Sequence, residues 1–254
     1  MTTLTGTEET TDTMLRSLDS LQGYAIHATD EELGKVRDTY LDDEDWRVRY
    51  FVVDTRRWLP GRTVLLSPEA CTHADWQKQA LHTRLTRSQV EASPDVDLAR
   101  PVSRRKQMEL HQHYGWPLYW AAPSPASATG GTPSKKPVPP GELGDTRLRS
   151  AKEVSGYAIR ATDGEIGHVE DFIVGEGDWA IRYLVVDTKN WLPGRKVLVS
   201  PEWIATVDWK GKQVVVDLTR AGIEKAPPYD PAQPVNRVYE RQLYDYHGRP
   251  AYWV

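Results

Sequence analysis

The apolar positions in the second half of the chain fall into five short runs: YAIRA at 157–161, GHVEDFIV at 167–174, WAIRYLVVD at 179–187, RKVLVS at 195–200 and KQVVVDL at 212–218. They are rich in Val, Ile and Tyr, and the TDGE, GEGD, NWLPG and WKGK between them are turn chemistry. Five or six strands at this spacing predict a small antiparallel barrel or sandwich. In WAIRYLVVD, Trp179, Ile181, Tyr183 and Val185 share one face, and Leu184 and Val186 make the other partly apolar. Such a strand is covered on both sides for part of its length.

The period changes after residue 218. LTRAGIEKAPPYDPAQP reads as a helical turn and an extended Pro segment, and VNRVYERQLYDYHGRP as an amphipathic helix. Asn236 is placed to cap it, because its side chain can accept from the first free backbone donors. Tyr239, Leu243 and Tyr246 fall at i, i+4 and i+7 on one face, and Gly248 and Pro250 end the helix. That apolar face must dock on something, and the Pro segment before it gives it the reach to cross to another domain.

The first half repeats the second at an offset of 133, without a gap, from Leu15/Leu148 to Trp120/Trp253. GYAIHATDEELGKV corresponds to GYAIRATDGEIGHV, VVDTRRWLPGR to VVDTKNWLPGR, and PLYW to PAYW. Internal repeats of this length, each closing on the same motif, are two domains and not a solenoid. We therefore divide the chain into a disordered tail over 1–14, repeat 1 over 15–120, a Pro/Ala/Gly/Ser-rich linker over 121–146, and repeat 2 over 147–254. The linker composition cannot bury enough apolar surface to order itself. Repeat 1 is weaker in its last strand, where VVVDL becomes LHTRL.

Composition narrows the picture. Ten Trp and twelve Tyr stand against two Phe, and aromatics with a polar handle suit positions half in a core and half at an interface. A net charge of −4 gives no electrostatic reason to expect nucleic acid or an anionic membrane surface. No apolar run is long enough to span a bilayer, and the N-terminus lacks a secretory signal pattern. The single Cys excludes an internal disulfide and fits a cytoplasmic location.

The GYxIxxxDGExIGxVxD opening, the WxIRYLVVDTxxWLPGRKVLVSP centre and the Trp-ended helix resemble the PRC-barrel domain. That domain is shared by the cytoplasmic barrel of the photosynthetic reaction-centre H subunit and a ribosome maturation factor. The resemblance covers about residues 18–87 and 151–220, and it implies a small β-barrel that works as a docking surface. The expected fold is thus mainly β: two tandem small antiparallel barrels, each followed by a short amphipathic helix, paired as a pseudo-dimer with each helix crossing to the other barrel.

Candidate residues follow from the repeat. Trp58, Arg62, Trp191 and Arg195 of the WLPGR turns, and the terminal pairs Tyr119, Trp120, Tyr252 and Trp253, are interface candidates, since Trp, Tyr and Arg anchor interfaces. Asp38 and Asp171 lie in phase with apolar positions of a strand. A buried carboxylate needs a partner, and the retained Arg49 and Arg182 are the expected ion-pair partners. Asp30, Glu32, Asp163 and Glu165 belong to the first hairpin, where solvated acids are ordinary. Cys71 and His73 could face one way as metal ligands, but repeat 2 has Ile204 and Thr206 there, so a small core residue is the simpler reading. His111 and His113 diverge on a helix and cannot easily chelate one ion. No phosphate loop, CxxC pair or nucleophile elbow appears. The expectation is a non-enzymatic protein-interaction scaffold with no catalytic, cofactor or metal residues and an unidentified protein partner. The alternative is a ligand-binding or electron-transfer accessory linked to photosynthesis, by likeness to the H-subunit barrel.

Overall fold

The computed structural model describes residues 14–120, 147–188 and 194–253. Most of the expected tail, the linker over 121–146 and Trp191 lie outside the described residues. The chain divides into two compact units, one of Leu21–Glu153 and one of Met1–Ser20 with Val154–Val254. Numbered along the chain, the first strand is β1 (Leu15–Ser17), and repeat 1 continues with β2 (Ala25–His27), β3 (Glu32–Asp42), β4 (Arg47–Asp54), β5 (Val64–Leu66), β6 (Cys71–Asp75) and β7 (Ala80–Thr83). Two helices follow, α1 (Arg87–Glu91) and α2 (Arg104–Tyr114). Repeat 2 runs β8 (Leu148–Ser150), α3 (Ala151–Val154), β9 (Ala158–Ala161), β10 (Gly164–Gly175), β11 (Ile181–Asp187), β12 (Lys196–Val199), β13 (Ile204–Asp208), β14 (Gln213–Val216), α4 (Arg220–Lys225) and α5 (Arg237–His247).

Each unit holds one seven-stranded sheet. In the Leu21–Glu153 unit the order is β5-β4-β3-β2-β7-β6, with β8 added along β3; in the other it is β12-β11-β10-β9-β14-β13, with β1 along β10. The pairings are antiparallel except for β2 with β7 and β9 with β14, which are parallel. The all-antiparallel expectation fails at that one pair per sheet, because the chain makes four further strands before returning to the edge of the first. Both orders are open: among the described residues no ladder joins β5 to β6 or β12 to β13. In each gap the chain makes a 3-10 turn, Pro68–Ala70 or Pro201–Trp203, capped by Ser67 or Ser200. A proline at the start of the turn has no N–H to give to a neighbouring strand.

One strand in each sheet comes from the other repeat. Leu15, Arg16 and Ser17 of repeat 1 pair with Gly175, Val174 and Ile173 of repeat 2. Leu148, Arg149 and Ser150 of repeat 2 pair with Asp42, Leu41 and Tyr40 of repeat 1. The two registers are equivalent under the offset of 133, so the same Leu-Arg-Ser segment is exchanged in both directions.

Close approach fixes two glycines. A Cβ at Gly34 would lie 2.0 Å from the Asp54 carbonyl oxygen, and one at Gly167 2.0 Å from that of Asp187. Both have positive φ, 143° and 146°, which side-chain-bearing residues rarely adopt. The core of each sheet is apolar along its central strands. In β11, Tyr183, Leu184, Val185 and Val186 are all buried, as expected for a strand covered on both sides.

The helices dock on their own repeats, which corrects the expected crossover. α2 lies against β4, where the Tyr50 hydroxyl and His111 Nε2 are 2.7 Å apart, and α5 against β11 through Tyr183 and Glu240. The expected ends of α5 are present, with Asn236 accepting from the Tyr239 amide at 3.0 Å and Gly248 in the left-handed region, and at the offset of 133 Ser103 accepts from the Lys106 amide at 3.3 Å and Gly115 closes α2 in the same way. The buried face of α5 differs from the expected one. It carries Glu240, Leu243 and Tyr244, while Tyr246 is exposed. Glu240 and Tyr244 have polar partners beneath them, so a face that looks half polar in sequence is the one that is enclosed. No helix among the described residues is long and apolar enough to cross a membrane.

Candidate functional site

The surface where helix, sheet and chain end meet gathers most polar chemistry in each repeat. In repeat 1, α2 supplies Arg104, Gln107 and His111, β4 supplies Arg49 and Tyr50, and the segment after Gly115 returns Tyr119 and Trp120. The Tyr119 hydroxyl donates to Gln107 Oε1 at 2.6 Å, and Arg104 Nη1 donates to the Tyr119 oxygen at 2.9 Å and to Gln107 Oε1 at 3.1 Å. Arg49 lies over the Tyr119 ring at 3.8 Å and Arg104 over Trp120 at 4.4 Å. His111 Nδ1 is 2.7 Å from the Pro117 carbonyl, which only accepts. Nδ1 therefore carries the proton, and Nε2 accepts from Tyr50. Burial holds His111 below the usual histidine range, which favours this neutral tautomer.

Repeat 2 builds the same arrangement around a carboxylate. Glu240, only 2% exposed, accepts from the Tyr183 and Tyr252 hydroxyls at 2.8 Å each and faces Arg237 at 3.0 Å. Arg182 lies over Tyr252 at 4.3 Å and Arg237 over Trp253 at 4.2 Å. Burial, with Glu240 adding to it, pushes the Tyr183 hydroxyl far above its ordinary range. The buried acid has two phenols and a guanidinium as partners. Tyr119, Trp120, Tyr252 and Trp253 are each half-buried, stacked on an arginine and still presenting surface.

Trp58, Arg62 and Arg195, the described candidates of the WLPGR turns, turn inward. Trp58 Nε1 donates to the Leu33 carbonyl at 2.6 Å, with Arg87 over its ring at 4.6 Å. Arg62 donates to the carbonyls of Glu91, at 2.5 Å, and Ser93. Arg195 donates to the Ala226 carbonyl. Trp58 ties the turn to β3, and the two arginines tie it to the segment after the sheet of the same repeat. A groove of about 180 Å³ lies beside the first of these turns, lined by Arg37, Asp54, Arg56 and Arg62 among others. It is smaller than the several hundred Å³ typical of small-molecule sites.

The expected ion pairs do not form. Arg49 pairs with Asp45 and Arg182 with Asp178, each four positions away on the same hairpin. Asp38 and Asp171 hold the exchanged strands instead. Asp171 accepts from the Ser17 hydroxyl at 2.6 Å and the Asp19 amide at 2.9 Å; Asp38 accepts from the Ser150 hydroxyl at 2.6 Å and the Lys152 amide at 3.3 Å. A register shift between Val36 and Asp38, repeated between Val169 and Asp171, breaks the period-two phase from which an ion pair was argued. Burial raises the Asp171 carboxyl above its ordinary value, against the pull of its donors. Arg16 with Glu176 at 3.3 Å and Arg149 with Asp43 at 2.8 Å add a flanking ion pair at each exchanged strand. Sequence reasoning missed Ser17 and Ser150, although both stand at the offset of 133 beside a retained Asp pair.

The hairpin acids also have structural work. Asp30 accepts from the Arg87 amide at 2.9 Å and Asp163 from that of Arg220 at 2.7 Å, at the starts of α1 and α4. Cys71 is half-buried, and enclosure of its sulfur pushes the thiol up to about 12. Among the described residues no three His, Cys, Asp or Glu side chains stand ready to hold a metal ion. A comparison with curated proteins found no match. A family model of the PRC-barrel domain matches residues 15–89 and, again, 148–223.

Proposed function

The chain belongs to the PRC-barrel domain family, with the domain present twice, and on that premise we propose that it is a non-catalytic protein-interaction scaffold built as a pseudo-dimer of two barrel repeats. The observation that carries this reading is the doubled stack of arginine on Tyr-Trp. Arg49, Arg104, Tyr119 and Trp120 recur as Arg182, Arg237, Tyr252 and Trp253, each aromatic half-buried. Trp, Tyr and Arg held rigid at a partly open surface are the residues that dominate binding energy at interfaces. The reciprocal exchange of Leu-Arg-Ser supports the pseudo-dimer, because one chain does for itself what two copies of a single repeat would do by domain swapping. Both repeats retain packing and capping residues, and their buried polar groups are turned toward one another, which favours a scaffold over an enzyme.

The test is comparative capture from the cells that make the protein. Wild-type chain and a Trp120→Ser/Trp253→Ser variant of matched thermal stability serve as baits, with bound proteins identified by mass spectrometry. A partner held by the wild type and lost by the variant supports the reading. An empty wild-type bait, or the same proteins on both, overturns it.

A further inference from the structure

A bulge in each repeat presents a charged side chain at the same point of the sheet, and the two charges are opposite. The register of β3 on β4 shifts between Val36 and Asp38, and that of β10 on β11 between Val169 and Asp171, so Arg37 and Glu170 are the extra residues. A bulge re-aims the side chain it carries. In repeat 2 Glu170 Oε1 accepts from Lys196 Nζ at 2.7 Å, and Lys196 pairs with Asp187 at the start of β12. At the offset of 133, Glu170 becomes Arg37 and Lys196 becomes Thr63. The ion pair of repeat 2 is therefore replaced by a cation and a hydroxyl. Among the described residues neither the Arg37 guanidinium nor the Thr63 hydroxyl holds a hydrogen bond or ion pair, and both line the groove of about 180 Å³ beside the WLPGR turn.

We propose that this groove binds a tetrahedral oxyanion of the phosphate class, as the free ion or as the ester end of a small soluble molecule, with Arg37 and Thr63 as its donors. The lining carries three guanidiniums, of Arg37, Arg56 and Arg62, and one carboxylate, of Asp54. Both Asp54 oxygens are already taken by Arg56, at 2.6–3.1 Å. Arg62 spends its donors on the carbonyls of Glu91 and Ser93, which carry no charge, and Asp95 stands 4.0 Å from its Nε. The lining is left with two positive charges that no carboxylate within it offsets, which suits a dianion. A guanidinium presents two parallel N–H donors that match two oxygens of one phosphate, and the Thr63 hydroxyl donates to a third. The groove is small for a drug-sized ligand and has room for one such group. A bound anion gives repeat 1 the charge balance that Glu170 and Lys196 supply within repeat 2, so one site per chain follows.

The experiment titrates the full chain with sodium phosphate at an ionic strength held constant with sodium chloride, followed by proton–nitrogen spectra of the backbone amides and arginine side chains. The amides of Thr63 and Val64 and the Nε of Arg37 should shift together and saturate, while the amides of Lys196 and Val197 stay still. Arg37→Ala should weaken binding about tenfold, the equivalent of one hydrogen bond to a charged group, and Thr63→Val severalfold. Arg160→Gln, which removes one positive charge from an exposed position of repeat 2, should stay within twofold of wild type. The double variant Arg37→Glu/Thr63→Lys rebuilds the ion pair of repeat 2, and binding should disappear in a chain whose remaining resonances are unchanged. Glycerol 1-phosphate should reproduce the phosphate shifts; binding only to vesicles containing phosphatidate would overturn the assignment to a soluble ligand. The proposal is also overturned if phosphate moves no resonance beyond the chloride control, if the shifts lie elsewhere, or if the double variant binds as wild type does. The shifts are read on the wild type, so a variant that fails to fold leaves the proposal testable.

Discussion

Replacing Ser17 by Ala tests the exchanged strand at its part-buried bond to Asp171. The hydroxyl donates to Asp171 at 2.6 Å and accepts from the Ser20 amide at 3.1 Å. A hydrogen bond to a charged group is worth about 1.5–3 kcal/mol and a neutral one about 1, so Ser17→Ala should cost about 2–3 kcal/mol. Asp171→Ala removes the acceptor of the Asp19 and Phe172 amides as well, but it also relieves a carboxylate whose burial is unfavourable; its cost should be of similar size and not larger. In a double-mutant cycle the two should couple by about 1.5–2 kcal/mol, since each removes the same bond. The assay is native-state hydrogen exchange. The Leu18 amide, bonded to the Phe172 carbonyl at 2.8 Å, and the Glu176 amide, bonded to that of Met14 at 2.8 Å, report directly on whether β1 is seated. Protection should fall in the unit of Met1–Ser20 and Val154–Val254 and stay unchanged in Leu21–Glu153. Ser150→Ala should give the mirror result against Asp38. A loss below 0.5 kcal/mol, coupling near zero, or wild-type Leu18 exchanging as fast as an unfolded amide would refute the reasoning.

Other perturbations have equally defined outcomes. Gly34→Ala and Gly167→Ala each force a Cβ into a strand carbonyl at positive φ, and each should cost at least about 3 kcal/mol by urea unfolding; a loss under 1 kcal/mol would show that the strand pair yields. Glu240→Ala should cost about 3–5 kcal/mol because Arg237 is left without its buried partner, whereas Glu240→Gln, which resembles Gln107 of repeat 1, should cost less than half as much. Burial depresses His111 and His247, so below a pH of about 6.5 the unfolded chain takes up protons that the folded one refuses. Stability should therefore fall on acidification from that pH through the folded values and then level. The carboxyls of Asp42, which is buried, and of Asp43, which is half-buried, are raised chiefly by desolvation and act in the opposite sense at lower pH. A flat stability curve between pH 7 and 5, or one unchanged in His111→Asn, would contradict this.

The strands, turns, caps and repeat were legible in sequence because each is a local pattern. Alternation marks β3 and β10, Asn236 and Ser103 mark the helix starts, and the glycines mark turns. The buried face of α5 was misread because Glu240 looks like a solvent residue until Tyr183 and Tyr252 are brought over it. The exchange of β1 and β8 was illegible for a deeper reason. Leu15 against Asp42 in its own repeat, or against Gly175 in the other, offers the same Leu-Arg-Ser segment to nearly the same edge, with Asp38 or Asp171 waiting for the serine. Local contacts are equivalent, so no residue pattern distinguishes self-pairing from exchange. Chain cleavage does. With a protease site inserted between residues 121 and 146, the N-terminal fragment still supplies β1 to the β10 sheet, and the C-terminal fragment β8 to the β3 sheet. The two fragments should remain together on native gel filtration and separate only in denaturant, and Ser17→Ala with Ser150→Ala should lower the denaturant concentration needed. Fragments that part on dilution in native buffer would mean that each repeat closes on its own strand, and that the equivalence of the two edges is resolved the other way.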